Sequence, residues 1–557
     1  MASLTKKKKG KRFYYYVVES KRVNGKPRIV NQTYLGPVEK VVKILSEYPK
    51  KLKPKEIEHL SFGLLAALLS LAKRIGLVDI INKHTSKRTQ GITTGDYILL
   101  IVLNRCIDPK SKRSLCAWYK KSFLPRIFGY PSSLLDSQNF WDHMDKLDKF
   151  DIEAIELDIC RSLIKNFGIH LEALIYDTTN FFTYIAEENE RAKLPEHGKN
   201  KAKRDDLRQV NLALLVTKDF GIPLLHLLYE GKTHDAKLFP DVTEELTRRY
   251  RIFAKECEKI TLVFDKGNNS SKNIQRIDKT KYFFIGSLRP SNHKDLLRVS
   301  LERYEDLGDL KVYRTKKKVF GKERTIVITF NPKLYKKQLF RLRKTIYKEK
   351  QKLSELKKKL NKRKWRNEEK VKEKINKVLS KQGKKLLKVT IIRKEGKLSL
   401  SVRRRQKEIY QRAKRFGKNI LFTDNHSFSS EEIIQAYKSK SIIEANFKKM
   451  KSHSTVSFIP MWHFTDQKIR VHALCCIISL LLLNLLQREV TKHYQKMSLD
   501  KIAEKLSDIK EILLFYPNTM KPDRKLSKKD DVQEKLYQIL NLAEFAPKKL
   551  GNTSCNL

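Results

Sequence analysis

The sequence predicts a mixed α/β fold divided among several domains. Three observations carry this. The chain has 557 residues, more than one compact core supports. From about residue 170 it turns into short apolar strands with a helical stretch among them, the order of an α/β sheet. A long basic helical stretch then interrupts the strands before they resume near residue 419.

The elements follow in order. Residues 1–50 form a basic module in which Phe13 to Ser20 and Arg28 to Leu35 flank Asn24-Gly25, the strongest short hairpin signal. Residues 51–165 are mainly helical, with apolar residues at helix spacing in Leu60 to Leu77 and Tyr97 to Cys106, and suit a DNA-binding domain. Residues 166–280 hold strands at Ala173 to Asp177, Gln209 to Thr217, Ile222 to Tyr229 and Thr261 to Asp265, with a helix from about Ala236 to Glu258.

Residues 281–418 read as an inserted α+β domain. Strands at Tyr282 to Leu288, Arg324 to Phe330 and Lys388 to Ile392 surround a helical stretch from about Tyr335 to Ser380. There Leu339, Leu342, Ile346, Leu353, Leu356 and Leu360 take coiled-coil seam positions, interrupted by Glu349, and Trp365 precedes a second apolar series, Val371, Ile375 and Val378. An antiparallel helical hairpin is expected. Residues 419–490 return to the core with strand Asn419 to Thr423. A helix N-terminus follows at Ser429-Ser430-Glu431-Glu432, then a helix running to about Lys451 and a buried one, Gln467 to Arg488. Residues 491–557 form a C-terminal helical region.

Charge is the first functional clue. Lys and Arg number 119 against 62 Asp and Glu, so 119 − 62 gives +57. That excess opposes compaction unless a polyanion offsets it, and nucleic acid gains most from such a surface through counterion release. No secretory signal is expected, because the N-terminal Lys run precedes aromatics rather than a long apolar stretch. The longest apolar run, Ala473 to Leu483, falls short of the roughly 20 residues of a membrane span. The seven cysteines form neither a paired framework nor a zinc-ligand spacing, which fits reduced structural thiols.

Two aspartates end apolar strands, Asp177 in Leu-Ile-Tyr-Asp-Thr-Thr and Asp265 in Leu-Val-Phe-Asp-Lys-Gly. Carboxylates there face the crevice beyond the sheet. The helix near residue 440 carries Tyr437, Lys440, Glu444 and Lys451, which on one continuous helix share a stripe roughly 60° wide, with Lys448 beside it. Ile443, Phe447 and Met450 take the adjoining, packing sector. Cleaving a phosphodiester needs a positioned oxygen nucleophile and relief of charge at phosphorus. Two Mg²⁺ or Mn²⁺ ions about 3.5–4 Å apart supply both, and three carboxylates are suitable hard ligands. Tyr437, Lys440, Lys448 and Lys451 would then meet the DNA backbone.

At these residues the sequence resembles the DDE transposases of prokaryotic insertion sequences, in the group with a Tyr-x2-Arg-x3-Glu-x6-Lys signature. The likeness includes Tyr176 to Thr179, Tyr229 to Asp235, Phe264 to Gly267, Tyr437 to Lys451 and Trp462 to His472. It implies an RNase H-like catalytic core with an insertion between Asp265 and Glu444, 444 − 265 = 179 positions apart. By position it makes Asp177 a ligand of both ions, with Asp265 and Glu444 each holding one. It implies donor cleavage and strand transfer at terminal inverted repeats, a target duplex, a homodimeric synaptic complex, and action in the prokaryotic cytoplasm at the nucleoid rather than at a membrane. Lys440 stands where the signature has Arg, keeping the charge but losing the bidentate fork. The alternatives are an RNase H-like nuclease, or a DNA-binding protein without catalysis. Asp424, Asp205, Asp206, His226, His463 and His472 read as structural or solvated, Asn268 and Asn269 as turn residues first and site residues only by analogy, and His234 and Asp235 equally as supports of the site or as residues without a role in it.

Overall fold

The computed structural model describes the chain apart from residues 1, 11, 24–25, 44–52, 86–90, 201, 203, 234–243, 246–247, 249–259, 266–268, 281, 460, 518–520 and 549–557. The expected Asn24-Gly25 turn, most of the 236–258 helix, Asn268, His234 and Asp235 lie outside the described residues. Two compact units result. One combines Met1–Ser70, Cys116–Ser132 and Val490–Leu557, and the other Leu71–Leu115 and Ser133–Glu489. Both cross the expected boundaries, so residues 51–165 divide between them.

In the first unit, strands β1 (Ala2–Lys9), β2 (Arg12–Val23) and β3 (Lys26–Pro37) form an antiparallel sheet. The expected hairpin is present as β2 and β3, and β1 adds a third strand. Strand β4 (Glu56–Ser61) occupies the start of a stretch expected to be helical, ahead of the helix Gly63–Ile75. It pairs with the distant strand Lys510–Phe515, and that long-range pairing draws the C-terminal segment into this unit. Arg126 and Arg524 close on the fully buried Glu511 carboxylate at 2.6 Å each, the charged pairing that a buried carboxylate requires.

The second unit is built on one nine-stranded sheet. Its strands are β5 (Ala173–Phe182), β6 (Gln209–Thr217), β7 (Pro223–Glu230), β8 (Thr261–Val263), β9 (Phe283–Leu288), β10 (Glu305–Leu307), β11 (Leu310–Val319), β12 (Lys322–Phe330) and, beyond a hairpin of β13 (Leu387–Lys394) and β14 (Lys397–Arg404), β15 (Lys418–Thr423). The order is β10-β11-β12-β15-β9-β8-β5-β6-β7. β5, β6 and β7 are antiparallel neighbours, while β8 and then β9 join β5 in parallel. This is the RNase H-like mixed sheet, flanked by helices.

Strands β9 to β12 lie within the span read as an insertion, yet they extend the core sheet, because β15 pairs with both β9 and β12. What interrupts the sheet is therefore narrower, beginning at the helix Pro332–Lys359. That helix and Glu368–Val378 bury Leu342, Ile346, Leu353, Leu356, Val371 and Ile375 in one cluster with Leu398 and Leu400 of β14, so the expected seam is present. Glu349 interrupts it because its Oε1 accepts from Ser380 Oγ at 2.6 Å, closing the turn after the second helix.

Two loops position the core helices. The β6–β7 turn puts Phe220 and Gly221 at φ 61° and 62°. The Gly221 carbonyl accepts from the buried amides of Asn446 (2.7 Å) and Asn484 (2.8 Å). A Cβ at Gly221 would stand 2.3 Å from Ile442 Cγ2, so glycine is required by space as well as by φ. Ser429 caps the helix Ser430–Lys438 in a reciprocal box with Glu432, as its sequence indicates. The helix Asp466–His493 is long and apolar enough to cross a membrane, but 94% of its most apolar window is buried within the protein.

Candidate active site

Register places the two aspartates together. Ile175 of β5 is level with Val263 of β8, its parallel neighbour. Asp177 and Asp265 each lie two residues further on, and a two-residue step returns a side chain to the same face. Asp177 does not end its strand, as the sequence suggested. β5 continues to Phe182 along β6, whereas β8 stops at Val263, opening the sheet beside Asp177.

Glu444 comes from the helix Lys440–Met450, which packs on β5. Its anchoring residues are those expected: Ile443 and Met450 are wholly buried and Phe447 nearly so. The continuous helix assumed from sequence is two helices, Ser430–Lys438 and Lys440–Met450, changing over at Ser439. Ile442 N reaches Ser439 O at 2.9 Å, a tighter step than the α-helical one. Tyr437 thus belongs to the first helix, and Lys451 ends the second.

The break does not scatter the side chains. Lys440 Nζ lies 3.0 Å from Asp265 Oδ1 and 3.9 Å from Glu444 Oε1. Tyr437 Oη stands 3.5 Å from the same Asp265 oxygen. Burial pushes the Asp177 carboxyl up to about 6; Lys440 opposes the rise, while Asp265 and Glu444 add to it. Burial, then Asp265, pushes the Tyr437 phenol up to about 12. All three carboxylates therefore act on one small region, with the largely buried Lys440 among them. Lys448 is exposed on the next turn. Lys451 Nζ lies over the Phe181 ring at 5.4 Å and lines a cavity of about 650 Å³ with Thr178 and Phe181.

Among the described residues no three His, Cys, Asp or Glu side chains stand close enough to ligate one ion together. The donor chemistry nevertheless suits a hard divalent cation. All three groups are carboxylates, and the raised Asp177 carboxyl gains from any added positive charge. Asp265 and Glu444 are 46% and 64% exposed, so their side chains have room to turn inward.

Three of the residues read as structural or solvated make such contacts. Asp424 Oδ1 accepts from Phe284 N at 2.9 Å and faces the buried Arg324. His226 pairs with Glu156 in the core, and Asp206 pairs with Arg204 at the surface. Sequence reasoning missed Asn446 and Asn484, although an asparagine closing the apolar run before it was a visible signal. It also missed Ser287, which hydrogen-bonds the Tyr437 phenol; Asn269, read as a site residue by analogy, donates its Nδ2 to Ser287 O at 2.6 Å.

The model of a transposase DDE domain matches residues 189–480, more than half of the chain. The chain belongs to this family. This transposase is an enzyme of DNA cleavage and strand transfer, and DDE transposases generally use divalent metal ions. The match includes Asp265 and Glu444 and begins just after Asp177. No curated protein matches the sequence. The solved structures that match include a piggyBac transposase synaptic complex with hairpin DNA, at 9% identity over 90% of each chain with TM-score 0.38, and a Mos1 transposase paired-end complex with left transposon end, at 11% identity over 35% of this chain and 59% of that chain with TM-score 0.15. With scores this low, the transposase's fold is assigned from its own strand order.

Proposed function

We propose that the transposase cuts and joins the ends of a prokaryotic insertion sequence through Asp177, Asp265 and Glu444, as a homodimer on its terminal inverted repeats. The observation that carries this is that Lys440 lies within 4 Å of both Asp265 and Glu444 and its charge also acts on the raised Asp177 carboxyl, where the parallel part of the sheet opens. Two Mg²⁺ or Mn²⁺ ions per site are the fitting cofactors, since three hard oxygen donors suit them.

Held by Asp177, Asp265 and Glu444, a divalent metal would supply activation of the attacking group and relief of charge at phosphorus. The protein's own residues supply the rest. Asp177 sits on the rigid strand and, once compensated, is the fixed anchor of the set. Lys440 holds Asp265 and Glu444 in the absence of a stronger cation, and on release presents its ammonium to a phosphate oxygen. The weakly acidic Tyr437 phenol keeps its proton and donates a hydrogen bond. Lys448 and Lys451 lie along the next turns as backbone contacts, and the exposed lysines of the Pro332–Lys359 helix offer a further basic face to phosphates.

A duplex carrying the repeats that flank the gene tests this reading. Cleavage at the element boundary with Mg²⁺ or Mn²⁺ is the expected result. Cutting without regard to that boundary would make the protein a nuclease of another kind.

A further inference from the structure

A second cavity of about 950 Å³ has no role in the chemistry above. Arg105, Lys112, Trp141, Trp462, His463 and His472 are among its lining residues. Its charge is unusual. Arg105 and Lys112 are only 9% and 6% exposed, and neither has a carboxylate partner among the described residues. Arg105 Nη1 donates to Ser457 O at 2.7 Å, which leaves its charge uncompensated. Burial, then Arg105, lowers the Lys112 ammonium to about 8.

The neighbours do not repair this. Burial, then the nearby cations, keeps His463 and His472 neutral. His472 Nε2 donates to Phe458 O at 3.0 Å, while its Nδ1 is buried and unpartnered. The acidic groups at the edge are engaged, Asp145 with Lys468 at 2.8 Å and Asp108 with Lys110 at 3.1 Å. A buried cation without a counter-charge is costly, so the cavity is arranged for an anion from outside the chain.

The rim specifies more. Trp462 and Trp141 are 59% and 38% exposed, and Tyr184 packs against Trp462 with ring centroids 5.3 Å apart. Exposed, braced rings are platforms for bases. The volume falls within the range of small-ligand sites. Ile459 lines both this cavity and the one beside Asp177, so the two adjoin.

We propose that this cavity binds an unpaired nucleotide, with Arg105 and Lys112 on its phosphate and Trp462 and Trp141 against its base. The ligand is either a free nucleotide or a phosphorylated strand end. The strand end follows from the transposase reading, whereas binding itself does not require the triad.

Fluorescence anisotropy of the full-length protein with a 3′-labelled trinucleotide, 5′-phosphorylated or 5′-hydroxyl, tests this. The phosphorylated probe should bind at least about tenfold tighter, the worth of charge-assisted hydrogen bonds. Lys112→Met should erase that preference, and Trp462→Ala should weaken both probes. Lys112→Met should also melt no lower than wild type, because it removes an unpaired buried charge; a purely structural lysine would lower the melting temperature. Competition by dTMP as strong as that by the unlabelled trinucleotide indicates a free nucleotide, and weaker competition a strand end. Equal binding of the two probes, an unchanged preference in Lys112→Met, or inorganic phosphate competing as well as dTMP overturns the proposal. Glu444→Gln should bind the probes normally, so failure here and failure of the catalytic reading are distinguishable.

Discussion

Lys440 Nζ lies 3.0 Å from Asp265 Oδ1, so the candidate site already holds a cation against its carboxylates. A divalent metal must compete with that ammonium. Lys440→Met should therefore tighten divalent metal binding, by roughly fivefold for an interaction of about 1 kcal/mol, while slowing cleavage at saturating metal. Titration of Mn²⁺ by calorimetry, beside single-turnover cleavage, checks both halves. Weaker metal binding in the variant would show that Lys440 supports the ligands rather than competing with a metal.

The raised Asp177 carboxyl has a consequence for stability. Its folded pKa of about 6 lies above the unfolded value of about 3.9. The folded state thus binds the proton more tightly, and stability falls as pH rises from about 4 to about 6. Asp177→Asn should remove this loss and stabilise the metal-free protein above pH 6 by on the order of 3 kcal/mol, two pKa units at about 1.4 kcal/mol each. Denaturant melts at pH 4.5 and 7.5 measure it. A difference that does not change between those pH values would contradict the assigned shift.

The Gly221 carbonyl joins the β6–β7 turn to the helix bearing Glu444 through Asn446 and to the long buried helix through Asn484. Asn446→Ala should cost about 1–3 kcal/mol, the penalty for orphaned buried groups, and lower cleavage more than DNA binding. Gly221→Ala should be more severe, because its Cβ would meet Ile442 at 2.3 Å. Chemical denaturation with parallel binding and cleavage assays separates the two effects.

These anchors mark the limit of what was legible in the sequence. Strands β5 to β8, the helical hairpin seam and the Ser429 cap follow from local patterns, and the structure contains them. The candidate triad was legible because two strand-borne aspartates precede a helix with a glutamate on a basic face. Long-range pairing was not legible. Nothing local indicates that β15 pairs with β9 and β12, or that β4 pairs with Lys510–Phe515, so the insertion was drawn too wide and the C-terminal segment taken as separate. Lys440 was read as a DNA contact; its pairing with Asp265 was not legible, since a helical wheel gives direction but not the nearest neighbour. Arg105 and Lys112 were hidden among 119 basic residues; only burial distinguishes them.

The exposed lysines of the Pro332–Lys359 helix should support DNA binding through phosphates alone. Replacing Lys344, Lys348 and Lys352 together with alanine should lower the slope of log K against log salt by up to about 3, near 0.9 for each phosphate no longer neutralised. Filter binding across a salt series reads the slope. An unchanged slope would leave that face as solvated surface.

The most direct test of the central claim is single-turnover cleavage of an end-labelled element-end duplex with Mn²⁺, comparing wild type with Glu444→Ala and measuring duplex binding in parallel. The account predicts that wild type cuts at the element boundary while the variant binds the duplex about as well and does not cut it. A variant that cuts at the wild-type rate would remove Glu444 from the site and contradict the assignment of Asp177, Asp265 and Glu444 as one catalytic set.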